Sequence, residues 1–333
     1  MIHRLPILQI KRKKVEKTEL QRAASEGKGT EFFQQFNFGF LVQSRQPLFA
    51  YNEILRVLQE CRDLDRKSFE EIHKGGPYYW LGMAAYMFRD YETSVYFMDA
   101  AVTEDLRRNV DAAETPAMLF ITLRGDHPHQ AARDFVAMSE NLIGGFIQTY
   151  LKYQGRDPAL PDLTTEDLRS GFLYKATQPA SRRLRSVATA LLSFLLESSL
   201  RKVQLDNVIS PGSFEPFILH LFKGGILLES LIKLNPKNPP AARTLSPALN
   251  HVSKDLGIPA GLAISANELQ DVIDQATSMA WTIENAFRIS GQVRNTTGHS
   301  LGWDIKLTFD QYGVLVQDLS VACLHTINSL YIH

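Results

Sequence analysis

A chain of 333 residues is long enough for two or three hydrophobic cores. Its 44% hydrophobic and 22% charged residues are the proportions of an ordinary globular protein. Lys+Arg and Asp+Glu number 36 each, so bulk charge names no partner, and any RNA binding has to come from local cation clusters. One short run, Lys11-Arg12-Lys13-Lys14, reads as a solvated segment. Cys61 and Cys323 stand far apart without metal-ligand spacing, which speaks against a disulfide framework or a zinc knuckle and suits a reducing compartment. The longest apolar run, near residues 187–196, is stopped by Glu197 and is too short to span a bilayer. No basic-then-apolar leader opens the sequence. A cytoplasmic protein without membrane segments, cofactor or metal is therefore expected.

In chain order the pattern is nearly all helical, and the expected fold class is all-α. Residues 1–45 read as an N-terminal arm, in which Ile2, Leu5, Ile7, Leu8 and Ile10 suit a short strand or extended segment. Residues 46–153 read as a helical domain. Leu48, Ile54, Leu55, Val57 and Leu58 mark a helix over 46–62. After the Gly75-Gly76-Pro77 break, Tyr78, Leu81, Gly82 and Ala85 share one helical face, and Tyr91, Ser94, Met98 and Ala101 share another. Residues 115–141 suggest a further helical pair. The turn formers of residues 154–164 mark a linker.

Residues 165–333 carry the strongest periodicity. A long helix is predicted over 179–203, and another over 213–234 with Ser213 as N-cap and Pro236 beyond its end. Leu269, Val272, Ile273, Ala276, Ala280, Ile283 and Phe287 form one stripe, which predicts a single helix over 267–290 stopped by Gly291. A last helix covers 311–331, with Leu315, Leu319, Ala322, Thr326 and Leu330 on its inner side. Between these last two helices stand Arg294-Asn295-Thr296-Thr297-Gly298-His299.

Within the 213–234 helix, Ile218, Phe222, Gly225 and Ile232 fall within about 60° of Glu229, and His220 falls opposite. Glu229 thus occupies an apolar stripe, where an unpaired carboxylate is costly. It needs a cation or a hydrogen-bond network. Gly224-Gly225 in mid-helix costs about 1 kcal/mol per residue relative to Ala. Such a pair fits close approach by another backbone, within a bundle or across a dimer, or is simply tolerated.

The helix pair of residues 75–108 resembles a degenerate tetratricopeptide repeat, with an aromatic opening the first helix and Leu-Gly allowing close packing. Residues 180–333 resemble the HEPN superfamily. There a bundle helix with an acidic residue precedes an Arg-x-x-x-x-His motif, matched by Phe222-Lys223-Gly224-Gly225-Ile226-Leu227-Leu228-Glu229-Ser230-Leu231-Ile232-Lys233 and by Arg294 to His299. Two decoys, Arg124/His129 and Arg66/His73, lack the Asn after the Arg and are expected at the surface.

The resemblance implies a C-terminal helical bundle that cleaves RNA without metal. It implies Arg294, His299, Asn295 and Glu229 as the catalytic set, with Arg294 nominated as the partner of Glu229 in a bidentate pair. Another Arg, or a groove to solvent, is the alternative for Glu229. Asn295 would orient the phosphate or the Arg, or act as a plain cap. Thr296, Ser300 and Trp303 are weaker substrate contacts; Trp303 also suits a core or interface anchor. A five-position gap puts Arg and His about 140° apart on a regular helix, so Thr296, Thr297 and Gly298 are expected to make a bent or capped entry into the last helices. The family joins two protomers around one cleft, which implies a homodimer, and it suggests toxin–antitoxin, antiviral or RNA-processing roles. The N-terminal domain is then a site for a regulator or protein partner. Two rival readings stay open. One is a non-catalytic dimerisation or binding module with a buried structural ion pair. The other is an effector whose N-terminal domain senses a ligand. His325 is expected to be a satisfied core or surface histidine.

Overall fold

The computed structural model describes residues 13–44, 46–108, 114–126, 130–154, 162–178, 181–207, 213–235, 244–298 and 304–333. The apolar arm of residues 2–10 and most of the 154–164 linker lie outside them. The protein is all-α, with no strand among the described residues. Among them, too, no helix is long and apolar enough to cross a membrane. Backbone contacts divide the chain into two units, Met1–Thr115 and Pro116–His333.

The first unit contains α1 (Lys17–Ser25), α2 (Gly29–Gln34), α3 (Phe38–Gln43), α4 (Pro47–Leu64), α5 (Arg66–Glu71), α6 (Gly75–Met87) and α7 (Tyr91–Arg107). Residues 17–43, read from sequence as part of an arm, are thus helical. Side-chain caps set two starts: Asp65 accepts from the Ser68 N–H at 2.9 Å before α5, and Asp90 accepts from the Thr93 N–H at 3.0 Å before α7. The α6–α7 hairpin closes as its sequence predicts. A Cβ on Gly82 would lie 2.9 Å from Met98 Cε and 3.0 Å from the Ser94 carbonyl, so the missing side chain lets the two helices touch.

The second unit contains α8 (Pro116–Ile121), α9 (Gln130–Gln154), a π-helical turn (Asp167–Leu173) running into α10 (Tyr174–Thr177), α11 (Arg182–Asp206), α12 (Glu215–Leu234), α13 (Leu245–Val252), α14 (Leu269–Ser278), α15 (Ile283–Thr297) and α16 (Phe309–Ile327), which ends in a π-helical turn (Asn328–Ile332). Helix α16 is the hub, packed by α9, α11, α12, α14 and α15. Its start is fixed by a capping box between Thr308 and Gln311. Leu315, Val316, Leu319, Leu324 and Ile327 are all but solvent-free. Each such side chain is worth about 1.5–3 kcal/mol of burial.

Helix α9, grouped from sequence with residues 46–153, has its inner face in this second core. The Tyr153 hydroxyl donates to Asp318 at 2.6 Å, and the Tyr150 hydroxyl meets His325 Nδ1 at 3.2 Å. Amphipathic spacing says that a helix has an inner face, not which core receives it.

The stripe over 267–290 is two helices rather than one. The chain turns extended at Met279 and Thr282, and the Thr282 side chain caps α15 by accepting from the Asn285 N–H at 3.2 Å. Asn285 Nδ2 ties the break by donating to the Ala280 carbonyl at 2.9 Å. Gly291 does not stop the helix. A Cβ there would lie 2.6 Å from Ile264, so the glycine admits the segment before α14 while α15 runs on to Thr297.

Candidate active site on α12 and α15

Glu229 lies in α12 and is 6% exposed, as its place on the apolar stripe requires. Helix α15 comes alongside because Gly225 has no side chain. A Cβ on Gly225 would stand 2.6 Å from Arg294 Cβ and 2.9 Å from Arg294 Cα. The neighbouring Gly224 faces the other way, toward the Phe194 ring of α11 at 2.8 Å. Both glycines therefore serve close approach inside the bundle. One turn beyond Gly225, the guanidinium of Arg294 reaches the carboxylate.

Arg294 Nε donates to Glu229 Oε2 at 2.5 Å. The expected bidentate pair is not formed, because the second carboxylate oxygen is taken by Lys233 Nζ. Arg294 Nη1 donates to Asn295 Oδ1 at 3.2 Å, and Asn295 Nδ2 donates to the Ile264 carbonyl at 2.8 Å. Asn295 is thus a strut between the guanidinium and the segment before α14, not a helix cap. Arg294 Nη2 has no hydrogen-bond partner among the described residues, and the Arg294 side chain is 31% exposed. One carboxylate against two cations leaves the cluster net positive, with donors left for an incoming anion.

The motif lies differently from the sequence expectation. Arg294 to Thr297 form the last turn of α15, and Gly298 is its C-cap, so the chain is not bent at the threonines. Thr296, expected to touch substrate, is 3% exposed and donates its hydroxyl to the Gln292 carbonyl at 2.8 Å. At about 200° from Arg294 on the same helix, it faces the core. His299, Ser300 and Trp303 lie outside the described residues. Lys233 was missed from sequence, although its i+4 position after Glu229 on one helix was a legible signal.

Two other histidines of the bundle, His220 and His325, are structural. His220, opposite Glu229 in helical phase, is also buried, because α12 is covered on the α11 side as well. Burial pulls its imidazole down to about 3, so the ring is neutral. Nε2 at 2.9 Å from the Phe194 carbonyl carries the proton, and Nδ1 accepts from the Tyr312 hydroxyl at 2.7 Å. His325 is a core histidine of the same kind, with Nε2 at 2.9 Å from the Leu256 carbonyl. Of the decoys, Arg66 pairs with Glu70, Arg124 pairs with Asp126, His73 Nε2 is hydrogen-bonded to Asp105 at 2.8 Å, and His129 lies outside the described residues. His73 is half-buried rather than at the surface.

Among the described residues no group of three His, Cys, Asp or Glu has the spacing to hold a metal ion. A cavity of about 490 Å³ in the first unit is lined by Glu19, Glu26 and Glu31 as well as Arg22 and Lys28, so it is not a basic pocket. No family model, curated protein or solved structure matches the chain.

Proposed function

We propose that this chain is a metal-independent endoribonuclease of HEPN type, acting as a homodimer whose protomers bring their Arg294–His299 motifs to one RNA phosphate. The observation that carries the reading is the state of Arg294. A buried carboxylate fixes its Nε, Asn295 steadies Nη1, and no described residue takes the Nη2 donor. A guanidinium held in that way is preorganised for the charge of a phosphorane.

In the proposed reaction His299 takes the proton of the RNA 2′-hydroxyl. The 2′-oxygen attacks the adjacent phosphorus, the P–O5′ bond breaks, and the departing 5′-oxygen gains a proton. The products are a 2′,3′-cyclic phosphate and a 5′-hydroxyl, and no water is consumed. Arg294 holds the non-bridging oxygens, Glu229 and Asn295 aim it, and Lys233 adds charge beside it. As the resemblance implies, a second protomer supplies the complementary half of the cleft. The α6–α7 hairpin, closed on Gly82, supports a tetratricopeptide-like first unit that receives a regulator or protein partner.

The test is incubation of the full-length protein with mixed RNAs in EDTA. Wild type should leave cyclic-phosphate ends. Arg294→Ala and His299→Ala should each lower the rate by about two to three orders of magnitude. Cleavage that survives both substitutions overturns the assignment. One observation favours a second reading, a non-catalytic dimerisation module: both Glu229 oxygens are paired, as in a buried structural ion pair. A wild-type dimer that cleaves no RNA decides for it.

A further inference from the structure

The second unit holds another cationic cluster, which the cleavage reading leaves unused. It lies where α11, α12 and the start of α16 meet. Arg201 and Lys202 stand near the end of α11, Lys223 stands on α12, and all three are half-buried. Glu197 is the carboxylate among them, with Lys223 Nζ at 3.4 Å from Oε1. Glu197, one turn before Arg201 on α11, draws Lys223 of α12 to that helix, and a Cβ on Gly313 of α16 would stand 3.3 Å from Lys202 Nζ.

Two of these cations, Arg201 and Lys202, are under-used. Arg201 Nη1 donates to Gln204 Oε1 at 3.3 Å, but its Nε is shielded from water and has no hydrogen-bond partner. Lys202 Nζ sits 4.6 Å above the ring of Phe309 and forms no ion pair among the described residues. Phe309 is 36% exposed, so its ring is open to a second occupant. Glu197 is paired with Lys223, and Asp206 and Asp310 are the next carboxylates along α11 and α16, so Lys202 and Arg201 are the cations left beside this open aromatic ring. Aromatic rings beside cations bind single-stranded nucleic acid by stacking and phosphate contact together.

Position relates this cluster to Arg294. On α12, Gly225 abuts Arg294 of α15, whereas Gly224 abuts Phe194 of α11. The two cationic sites therefore flank the same helix, about 10 Å thick, and a few nucleotides of single strand cover that span.

We propose that Arg201, Lys202 and Lys223 form a phosphate-contacting site for single-stranded RNA, with Phe309 as its stacking surface, which holds the strand outside the scissile position. The nature of the strand rests on the ribonuclease reading; the site itself is testable without cleavage. A 2′-O-methyl single strand lacks the attacking hydroxyl, so its binding to the full-length protein is measured by fluorescence anisotropy over a series of salt concentrations. Arg201→Gln combined with Lys202→Gln should weaken binding about tenfold at low salt. It should also flatten the log–log salt slope by about 1.4, at ~0.7 per phosphate contact. Arg201→Lys combined with Lys202→Arg, which keeps both charges, should restore most of the affinity. Wild-type affinity and slope in the neutral double variant overturn the proposal, and so does a charge-keeping variant as weak as the neutral one. Displacement of the strand by inorganic phosphate at unchanged ionic strength overturns the choice of RNA in favour of a free phosphate. Cleavage is scored separately on ordinary RNA. Salt-sensitive binding without any cleavage sinks the ribonuclease reading alone, and cleavage with no change in binding sinks this proposal alone.

Discussion

Each unit of the protein holds a buried glutamate between a lysine and an arginine, and the two clusters use the same parts to different ends. In the first unit, Glu104 takes Arg107 through both Nε and Nη2, at 3.1 and 2.6 Å, and also accepts from the Lys74 backbone N–H at 3.1 Å. Lys74 Nζ, itself buried, donates to the Phe69 and Ile72 carbonyls at 2.6 and 2.7 Å and lies 3.5 Å from Glu104. The lysine is consumed, and the cluster ties the turn between α5 and α6 to α7. In the second unit, Glu229 holds Arg294 by Nε alone, and among the described residues the partners of Arg294 stop short of Nη2. Saturation makes a staple; an unspent donor makes a candidate site.

The largest expected contrast is in activity. Arg294→Ala should abolish RNA cleavage, a loss of about a hundredfold or more, while Arg107→Ala should leave the cleavage rate as it is. A rate that falls equally in both variants would erase the distinction between the clusters. The converse contrast is in stability. Lys74→Met strands two backbone carbonyls and part of the Glu104 charge, and should destabilise the first unit by about 3–5 kcal/mol in denaturant unfolding. A smaller change than Lys233→Met produces would mean that Lys74 is no staple.

Next comes a pH effect in the α9–α16 contact. Burial raises the Asp318 carboxyl to about 7, and Tyr153 is its hydrogen-bond donor. A carboxyl whose folded value is raised favours the folded state at low pH and loses that contribution as pH climbs from about 4 to about 7. Asp318→Asn keeps the Tyr153 bond and should flatten stability over that window, by on the order of 4 kcal/mol at its upper end. Unfolding curves that keep their pH slope in the variant would contradict it.

Gly225→Ala should cost about 1–3 kcal/mol and also lower cleavage, because the new methyl group meets the backbone of Arg294. Gly224→Ala meets the Phe194 ring instead and should affect stability alone. Smallest of all is Lys233→Met. This half-exposed partner should contribute under about 1 kcal/mol, and its loss should raise KM more than it lowers kcat. Equal loss in kcat would place Lys233 on the reacting phosphate.

Much of the fold was legible along the chain. The Leu81-Gly82 and Met98 spacing foretold the α6–α7 contact, and the phase of Glu229 foretold its burial. What misled was local grammar taken at face value. Gly291 has the look of a helix stop, yet it is a packing glycine, because the segment carrying Ile264 crosses α15 there. The stripe from Leu269 to Phe287 keeps helical phase across a break at Met279–Thr282, and periodicity alone is blind to such an interruption. Thr296 has a hydroxyl suited to substrate, but two residues of helix turn it away from Arg294 into the core.

The sequence by itself determined that the chain is helical and that Glu229 is buried, and it marked two glycines as either a close approach or a tolerated pair. These follow from helical period and from the solvation of a carboxylate, both local properties. Only the tertiary structure decided which neighbour came. Gly225 receives Arg294 and Gly224 receives Phe194, α9 joins the second core through Tyr150 and Tyr153, and Lys233 takes the glutamate oxygen that a bidentate arginine would have filled. Such choices depend on which surfaces meet at atomic distance, and no periodicity along one chain encodes them.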